Sequence, residues 1–296
     1  MKTIILILFL RSLSLLPLAL ARKVGAFMGH VSYSLSSRMT QTTRTNLAIC
    51  FPGISESKRQ LIARASIINT FQTLTECGSV WLWPVEKVMV HILEVEGLEL
   101  LQRCQAAGKG TVVLAPHLGN WEVFGLFLNI CGCGQSSQLY QAPSDKRLDK
   151  LIYDARSRAG AKMLATDTRG VAMLLKALKS GEIAGILPDQ VPPETGGDFA
   201  PFFGKQVLTM SLVSRLLEKT GARAVVGFAV RVRDGNRSGW KIVFREPDNR
   251  VYAQHIQTSL IGLNASIEAV VEEFPEQYQW EYKRYKRLPP GEQRPY

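Results

Sequence analysis

The run Thr111-Val112-Val113-Leu114-Ala115-Pro116-His117-Leu118-Gly119-Asn120-Trp121-Glu122 reads as a strand, a turn and the start of a helix. Thr111 to Ala115 form a buried strand, Pro116 ends it, and Asn120 can cap an apolar helix that continues through Leu128. His117 then lies in the turn and Glu122 in the first helical turn, at the carboxyl end of the strand. Were the whole H-x4-E stretch helical, five steps of about 100° would leave the two side chains roughly 140° apart, so they meet only across a bent connection.

Outward from this unit the same alternation repeats. Upstream, Ser57 with Gln60 can form a capping box opening a long helix that runs to about Trp83, where Pro84 stops it, followed by a strand at His91 to Glu96 and a helix at Leu98 to Ala106. Downstream, strands are expected at Gln138 to Gln141, Lys162 to Leu164, Ile183 to Leu187, Ala224 to Val232 and Lys241 to Phe244. Helices fall between and after them at Lys146 to Ala159, Arg169 to Ser180, Leu208 to Thr220 and Gln254 to Phe274, with Thr195 to Asp198 left as a mobile loop. Such alternation indicates an α/β fold, a mostly parallel central sheet flanked by helices. Ligands of such sheets gather at the carboxyl ends of strands, where both His117 and Asp189 fall.

The chain has 296 residues, 46% hydrophobic and 21% charged, enough to bury a substantial core. Its net charge is +11, and residues 1 to 55 contribute Lys2, Arg11, Arg22, Lys23, Arg38 and Arg44 with no Asp or Glu. A basic balance suits nucleic acid, an anionic membrane or an acidic partner, and here it adjoins the apolar stretch Thr3 to Ala21, which favours membrane. As one helix those 19 residues would reach about 28 Å, close to the roughly 30 Å hydrocarbon core. Arg11 in the middle weighs against a simple span, and Ala19-Leu20-Ala21 also resembles a signal-peptidase site. The preferred expectation is a retained anchor helix over 1–22 and one main domain over 23–296, divided into a helical part at 23–84 and an α/β core at 85–296. The flanking Arg22, Lys23, Arg38 and Arg44 place that domain on the cytoplasmic side. The five cysteines form no C-x-x-C pair, so neither a disulfide framework nor a zinc site is expected, and no metal is predicted.

With its strand context, the His117 to Glu122 box resembles motif I, H-x4-D/E, of the glycerolipid acyltransferase superfamily. More narrowly the chain is similar to the late, or secondary, lipid A acyltransferases of lipopolysaccharide biosynthesis, the lauroyl and myristoyl transferases. That resemblance takes in Leu151 to Gly160 with Arg156-x-Arg158, Pro188-Asp189-Gln190, Pro201-Phe202-Phe203-Gly204, and Pro275 to Trp280 before Lys283-Arg284-Tyr285-Lys286. It departs at Tyr140-Gln141, where many members carry Tyr-Arg. The resemblance implies a bacterial inner-membrane enzyme that takes an acyl thioester from acyl carrier protein and delivers it to a lipid A precursor, with no cofactor. The alternative enzyme reading is a lysophospholipid or other glycolipid acceptor, and a non-catalytic adaptor binding carrier protein or lipid is the third.

For the chemistry, a histidine whose second nitrogen is held by a carboxylate is oriented and kept basic, so His117 is the general base and Glu122 the group that orients it. No Gly-x-Ser-x-Gly accompanies them, which favours direct attack by the acceptor hydroxyl over an acyl-enzyme. The Leu118 to Trp121 backbone and Arg156 are candidates for oxyanion donors. Substrate contacts are expected at Asn120, Asp189 and Gln190. Arg156 and Arg158 suit a sugar phosphate through bidentate pairing, and Phe202 and Phe203 could wall an acyl groove or simply be core. The segment from Tyr278 to Arg287 interleaves aromatic and basic residues, a pattern open to a membrane interface, an acidic protein or a packed edge strand. No nucleic-acid fold signature accompanies it, and nucleic acid is not expected as a partner.

Overall fold

The computed structural model describes residues 2–235 and 237–296. Helices α1 (Lys2–Ser14), α2 (Leu18–Ser34), α3 (Arg38–Cys50), α4 (Glu56–Leu82) and α5 (Val85–Met89) precede the first strand. Then follow β1 (Ile92–Glu96), α6 (Leu98–Ala106), β2 (Thr111–Leu114), α7 (Trp121–Ile130), β3 (Ser136–Tyr140), α8 (Lys146–Ser157), β4 (Lys162–Ala165), α9 (Thr168–Lys179) and β5 (Ile183–Ile186). The chain closes with β6 (Gly197–Phe202), β7 (Lys205–Met210), α10 (Leu212–Thr220), β8 (Arg223–Asp234), β9 (Arg237–Arg245) and α11 (Ile256–Glu273).

Seven strands form one sheet in the order β1-β9-β8-β2-β5-β3-β4. From β8 to β4 every neighbouring pair is parallel, whereas β9 joins β8 as an antiparallel hairpin and β1 runs parallel to β9. Both faces are buried, as side chains alternate along each strand. Val112 and Leu114 of β2 join the core formed with α9, α10 and α11, through Leu174, Leu216 and Leu263, while Val113 joins the opposite core with Leu101 of α6 and Phe124 of α7. The sequence expectation of a mostly parallel α/β sheet therefore holds.

Local expectations are corrected in three places. The cap of α4 is Ser55, whose hydroxyl accepts from the Lys58 N–H at 3.3 Å, one turn choice earlier than the Ser57–Gln60 box. Thr195 to Asp198 is not wholly loop, because Gly197 and Asp198 open β6, and β7 occupies Leu208 to Met210, so the helix expected from Leu208 starts at Leu212. The third correction concerns the amino terminus. The apolar stretch Thr3 to Ala21 is split between α1 and α2 at Leu15 to Pro17, and no helix among the described residues is long and apolar enough to cross a membrane. At 13 residues, α1 reaches only about 20 Å. The 22/23 boundary also falls inside α2.

What the split produces is a seating of both helices on α4, with α2 running antiparallel to it. A Cβ at Gly29 would lie 2.6 Å from the Ile68 backbone, and one at Gly78 of α4 would lie 2.5 Å from the Leu10 carbonyl, so the helices touch backbone to backbone. Leu10, Leu13, Leu18 and Ala21 are buried by this packing, and Ile5, Leu8, Leu15, Leu20, Phe27 and Leu35 remain exposed. Arg22, read from sequence as a flanking surface charge, is instead buried against Glu76.

Candidate active site

Strand register builds the site. Parallel pairing sets Leu114 of β2 opposite Ile186 of β5, and the same offset of 72 positions carries His117 to Asp189, each just beyond its strand. The His117 Nδ1 lies 2.8 Å from Asp189 Oδ1, and the His117 backbone N–H donates to Asp189 Oδ2 at 2.9 Å. Two bonds to one carboxylate fix both the ring and its backbone. Burial raises the Asp189 carboxyl, but the His117 charge and hydrogen bonds outweigh it, and the group ends below the usual carboxylate range. With Nδ1 turned to Asp189, Nε2 is the free face of the imidazole, and the Gln190 side-chain amide lies 3.2 Å from it.

The turn carrying His117 is held from behind. Gly119 has φ +65, and a Cβ there would sit 2.0 Å from the Ala229 carbonyl, so this position requires glycine twice over. Gly119 N–H donates to the Gln277 carbonyl and Gln279 N–H to the His117 carbonyl, which straps the 275–285 segment across the turn. In that strap Tyr278, Trp280, Arg284 and Tyr285 are buried, with Arg284 donating to the Leu208 carbonyl at 2.7 Å. The segment is not an edge strand, and its aromatic residues are largely core, whereas Lys283 and Lys286 remain exposed.

Glu122 stands apart from His117. Asn120 caps α7, its Oδ1 accepting from the Glu122 and Val123 N–H groups at 3.1 Å each, and this turns Glu122 toward α8. There Arg156 grips both carboxylate oxygens, Nε donating to Oε2 at 3.0 Å and Nη2 to Oε1, while the Trp81 indole donates to Oε2 at 3.0 Å. Burial would raise the Glu122 carboxyl and Arg156 overrides it, leaving it lowered. The Trp121 ring packs edge-on against the His117 imidazole, centroids 5.0 Å apart, beside these two clusters. A slot of about 60 Å³ opens along Trp81, Trp121, Glu122, Leu139, Arg156 and Leu187.

The remaining sequence-predicted residues divide sharply. Asn120 is fully buried and occupied, since its amide also donates to Glu76 at 2.7 Å, so it builds the loop instead of meeting a substrate. Arg156 pairs with Glu122, and Arg158 donates through Nη1 and Nη2 to the Trp81 and Val80 carbonyls, capping the carboxyl end of α4. Phe202 is core, beneath Arg284, and Phe203 packs on Phe51 and Trp280, with no contact to His117 or Glu122 among the described residues. Gln190 alone of the substrate-contact candidates other than Asp189 sits on the imidazole.

Glu76, Trp81 and Arg231 escaped the sequence reading, as did the contact of the Trp121 ring with His117. Glu76 lies fully buried in α4, bonded by Arg22, Arg231 and Asn120. Burial opposes its ionisation, yet Arg231 and Arg22 hold its carboxyl down to about 2. A carboxylate among Thr73, Thr75, Cys77 and Ser79 inside a long helix was the available signal.

The sequence profile of the family described as bacterial lipid A biosynthesis acyltransferase matches residues 1–287. The lipid A biosynthesis palmitoleoyltransferase of Escherichia coli (strain K12) is 27% identical over 278 residues, 94% of this chain and 88% of the relative. The lauroyltransferase of the same organism is 25% identical over 280 residues, covering 93% and 88%, and a lipid A biosynthesis acyltransferase of Haemophilus influenzae is 25% identical over 283 residues, covering 94% and 88%. A match over nearly the full length, on a fold whose sheet brings His117 out beside a carboxylate, leaves one conclusion: this acyltransferase belongs to the bacterial lipid A biosynthesis acyltransferase family.

Proposed function

We propose that this enzyme transfers a fatty acyl chain from acyl carrier protein to a hydroxyl of a lipid A precursor, with His117 as general base and Asp189, not Glu122, as the carboxylate that orients it. The observation that carries this reading is the 2.8 Å contact of His117 Nδ1 with Asp189 Oδ1, which leaves Nε2 as the basic atom. The acceptor hydroxyl takes the place of the Gln190 amide at Nε2. His117 withdraws its proton as the oxygen attacks the thioester carbonyl, and Asp189 stabilises the imidazolium that forms. Collapse of the tetrahedral adduct breaks the carbon–sulfur bond, and His117 returns the proton to the departing thiolate. No acyl-enzyme is required.

The oxyanion falls to the amino end of α7. Leu118, Gly119 and Asn120 already donate their N–H groups to Pro116, Gln277 and Ala229, so the Trp121 N–H, at the positive end of the helix, is the remaining backbone donor of that loop. Glu122 and Arg156 fix the polar end of the slot, and Leu126, Leu139 and Leu187 give it apolar walls suited to the first carbons of the acyl chain.

The exposed apolar residues of α1 and α2 support an interfacial seat on the inner face of the bacterial inner membrane in place of a span. Lys23, Arg38 and Arg44 remain available as the basic flank, whereas Arg22 does not.

The test is acyl transfer from acyl carrier protein to a tetra-acylated, phosphorylated disaccharide precursor by wild type, His117→Ala and Asp189→Asn. Loss in both folded variants supports the assignment, and failure of wild type to transfer to this acceptor, with other acyl donors tried, would retire it.

A further inference from the structure

A second concavity lies outside the acyl-transfer site. It is a cleft of about 460 Å³ between α2, the middle of α4 and the β8–β9 hairpin, lined in part by Arg22, Lys23, Arg231, Arg233 and Arg237. Among the described residues no carboxylate lines it. Its floor is rigid, because Arg22 and Arg231 are both locked on Glu76 and that triad alone leaves one positive charge in excess. Arg231 also donates to Thr73 at 2.6 Å and Arg22 to the Gly239 carbonyl at 3.2 Å, so neither guanidinium swings outward. Above the floor, Lys23 and Arg233 are exposed, and neither forms a salt bridge among the described residues. A cleft lined by one sign of charge over a low-dielectric floor concentrates counter-ions.

The occupant follows from how α2 is turned. Ala19, Arg22, Lys23 and Ala26 face the cleft, and the exposed Leu20, Phe27 and Val31 form a stripe about 100° around the same helix. A helix lying in a membrane interface on that stripe brings Lys23 and the cleft mouth to headgroup depth. We propose that this cleft binds the phosphate headgroup of an anionic lipid, with Lys23 and Arg233 as its mobile ligands and the Arg22–Glu76–Arg231 triad as its floor. The inference rests on the interfacial seat of α1 and α2 given above. Because Glu76 also holds Asn120, the residue that caps α7, the cleft and the catalytic turn share one buried carboxylate.

The experiment is flotation of the full chain with vesicles of phosphatidylcholine alone or of phosphatidylcholine containing phosphatidic acid, for wild type and for the Lys23→Ala/Arg233→Ala double variant. Wild type should bind both, with an affinity higher by roughly tenfold or more on phosphatidic acid, since each surface cation contributes roughly fivefold. The double variant should keep the binding to neutral vesicles and lose most of the increment. Excess inorganic phosphate should weaken wild-type binding only on the anionic vesicles. An increment undiminished in the double variant would overturn the site. Binding of inorganic phosphate with no preference for phosphatidic acid would overturn the lipid as its source. Flotation with neither vesicle would overturn the interfacial seat and the headgroup assignment with it, while leaving the acyl-transfer assay above to stand or fall independently.

Discussion

Asp189 and Glu122 are both buried carboxylates beside the turn after β2, and both lie below their ordinary range, yet the groups they face differ in kind. Asp189 faces His117, a group able to change charge within the reaction, whereas Glu122 faces Arg156, whose charge is permanent. Only an interaction that is stronger in the transition state than in the ground state accelerates a step. Stabilising an imidazolium that appears during transfer meets that condition. Pairing with Arg156 does not, so on the proposed mechanism Glu122 is left to fix α7 on α8 and shape the slot between them. Proximity in sequence made Glu122 the obvious partner, and the sheet register supplied a better one from 72 residues away.

The contrast is broken most directly at the catalytic pair. His117→Ala and Asp189→Asn should each lower the transfer rate by about 10³-fold or more, through loss of the base or of its tautomer and charge partner. Initial rates on protein of unchanged circular dichroism test this. An Asp189→Asn enzyme within tenfold of wild type, beside a dead but folded Glu122→Gln, would return the orienting role to Glu122.

Next in size is the Glu122→Gln variant, which leaves the half-buried Arg156 guanidinium without its counter-charge and should lose about 1.5–3 kcal/mol of stability, or roughly 3–6 °C in Tm. Activity should fall with it. Adding Arg156→Met should recover most of the Tm, because the pair is then removed as a unit, and a double variant no more stable than Glu122→Gln would show that the fork is not what holds α7 to α8. Arg158→Ala should cost about 1.5–3 kcal/mol through its lost bonds to the Trp81 and Val80 carbonyls while leaving KM for the phosphorylated acceptor unchanged. A rise in KM with unchanged stability would restore Arg158 to the acceptor site.

Glu76 sets a pH dependence of stability. Its folded carboxyl sits at about 2 against an ordinary 4.5, so on acidification the unfolded chain takes up this proton first. The stabilisation is therefore complete above about pH 4.5 and drains away as pH falls toward 2. Urea midpoints measured through that window should slope less steeply in Glu76→Gln than in wild type.

Much of this arrangement was legible in the chain. The apolar runs at Thr111 and Ile183 and the helix Leu98–Ala106 appear where periodicity placed them, and both His117 and Asp189 were readable as residues at strand ends. The break at Pro17 was written in the sequence too, but an apolar run of that length invited a single spanning helix. Asn120 was correctly read as a cap, and that local role exhausted its side chain.

Sequence by itself determined the alternation of strands and helices, the glycine turn and the presence of a histidine at its apex, because these depend on side-chain periodicity and on interactions within a few residues. Only tertiary structure decided which carboxylate meets that histidine, that Arg22 and Arg231 converge on Glu76, and that Arg158 caps a helix. Those outcomes depend on strand register and helix packing between segments far apart in the chain, and local periodicity carries no information about which distant segment becomes a neighbour.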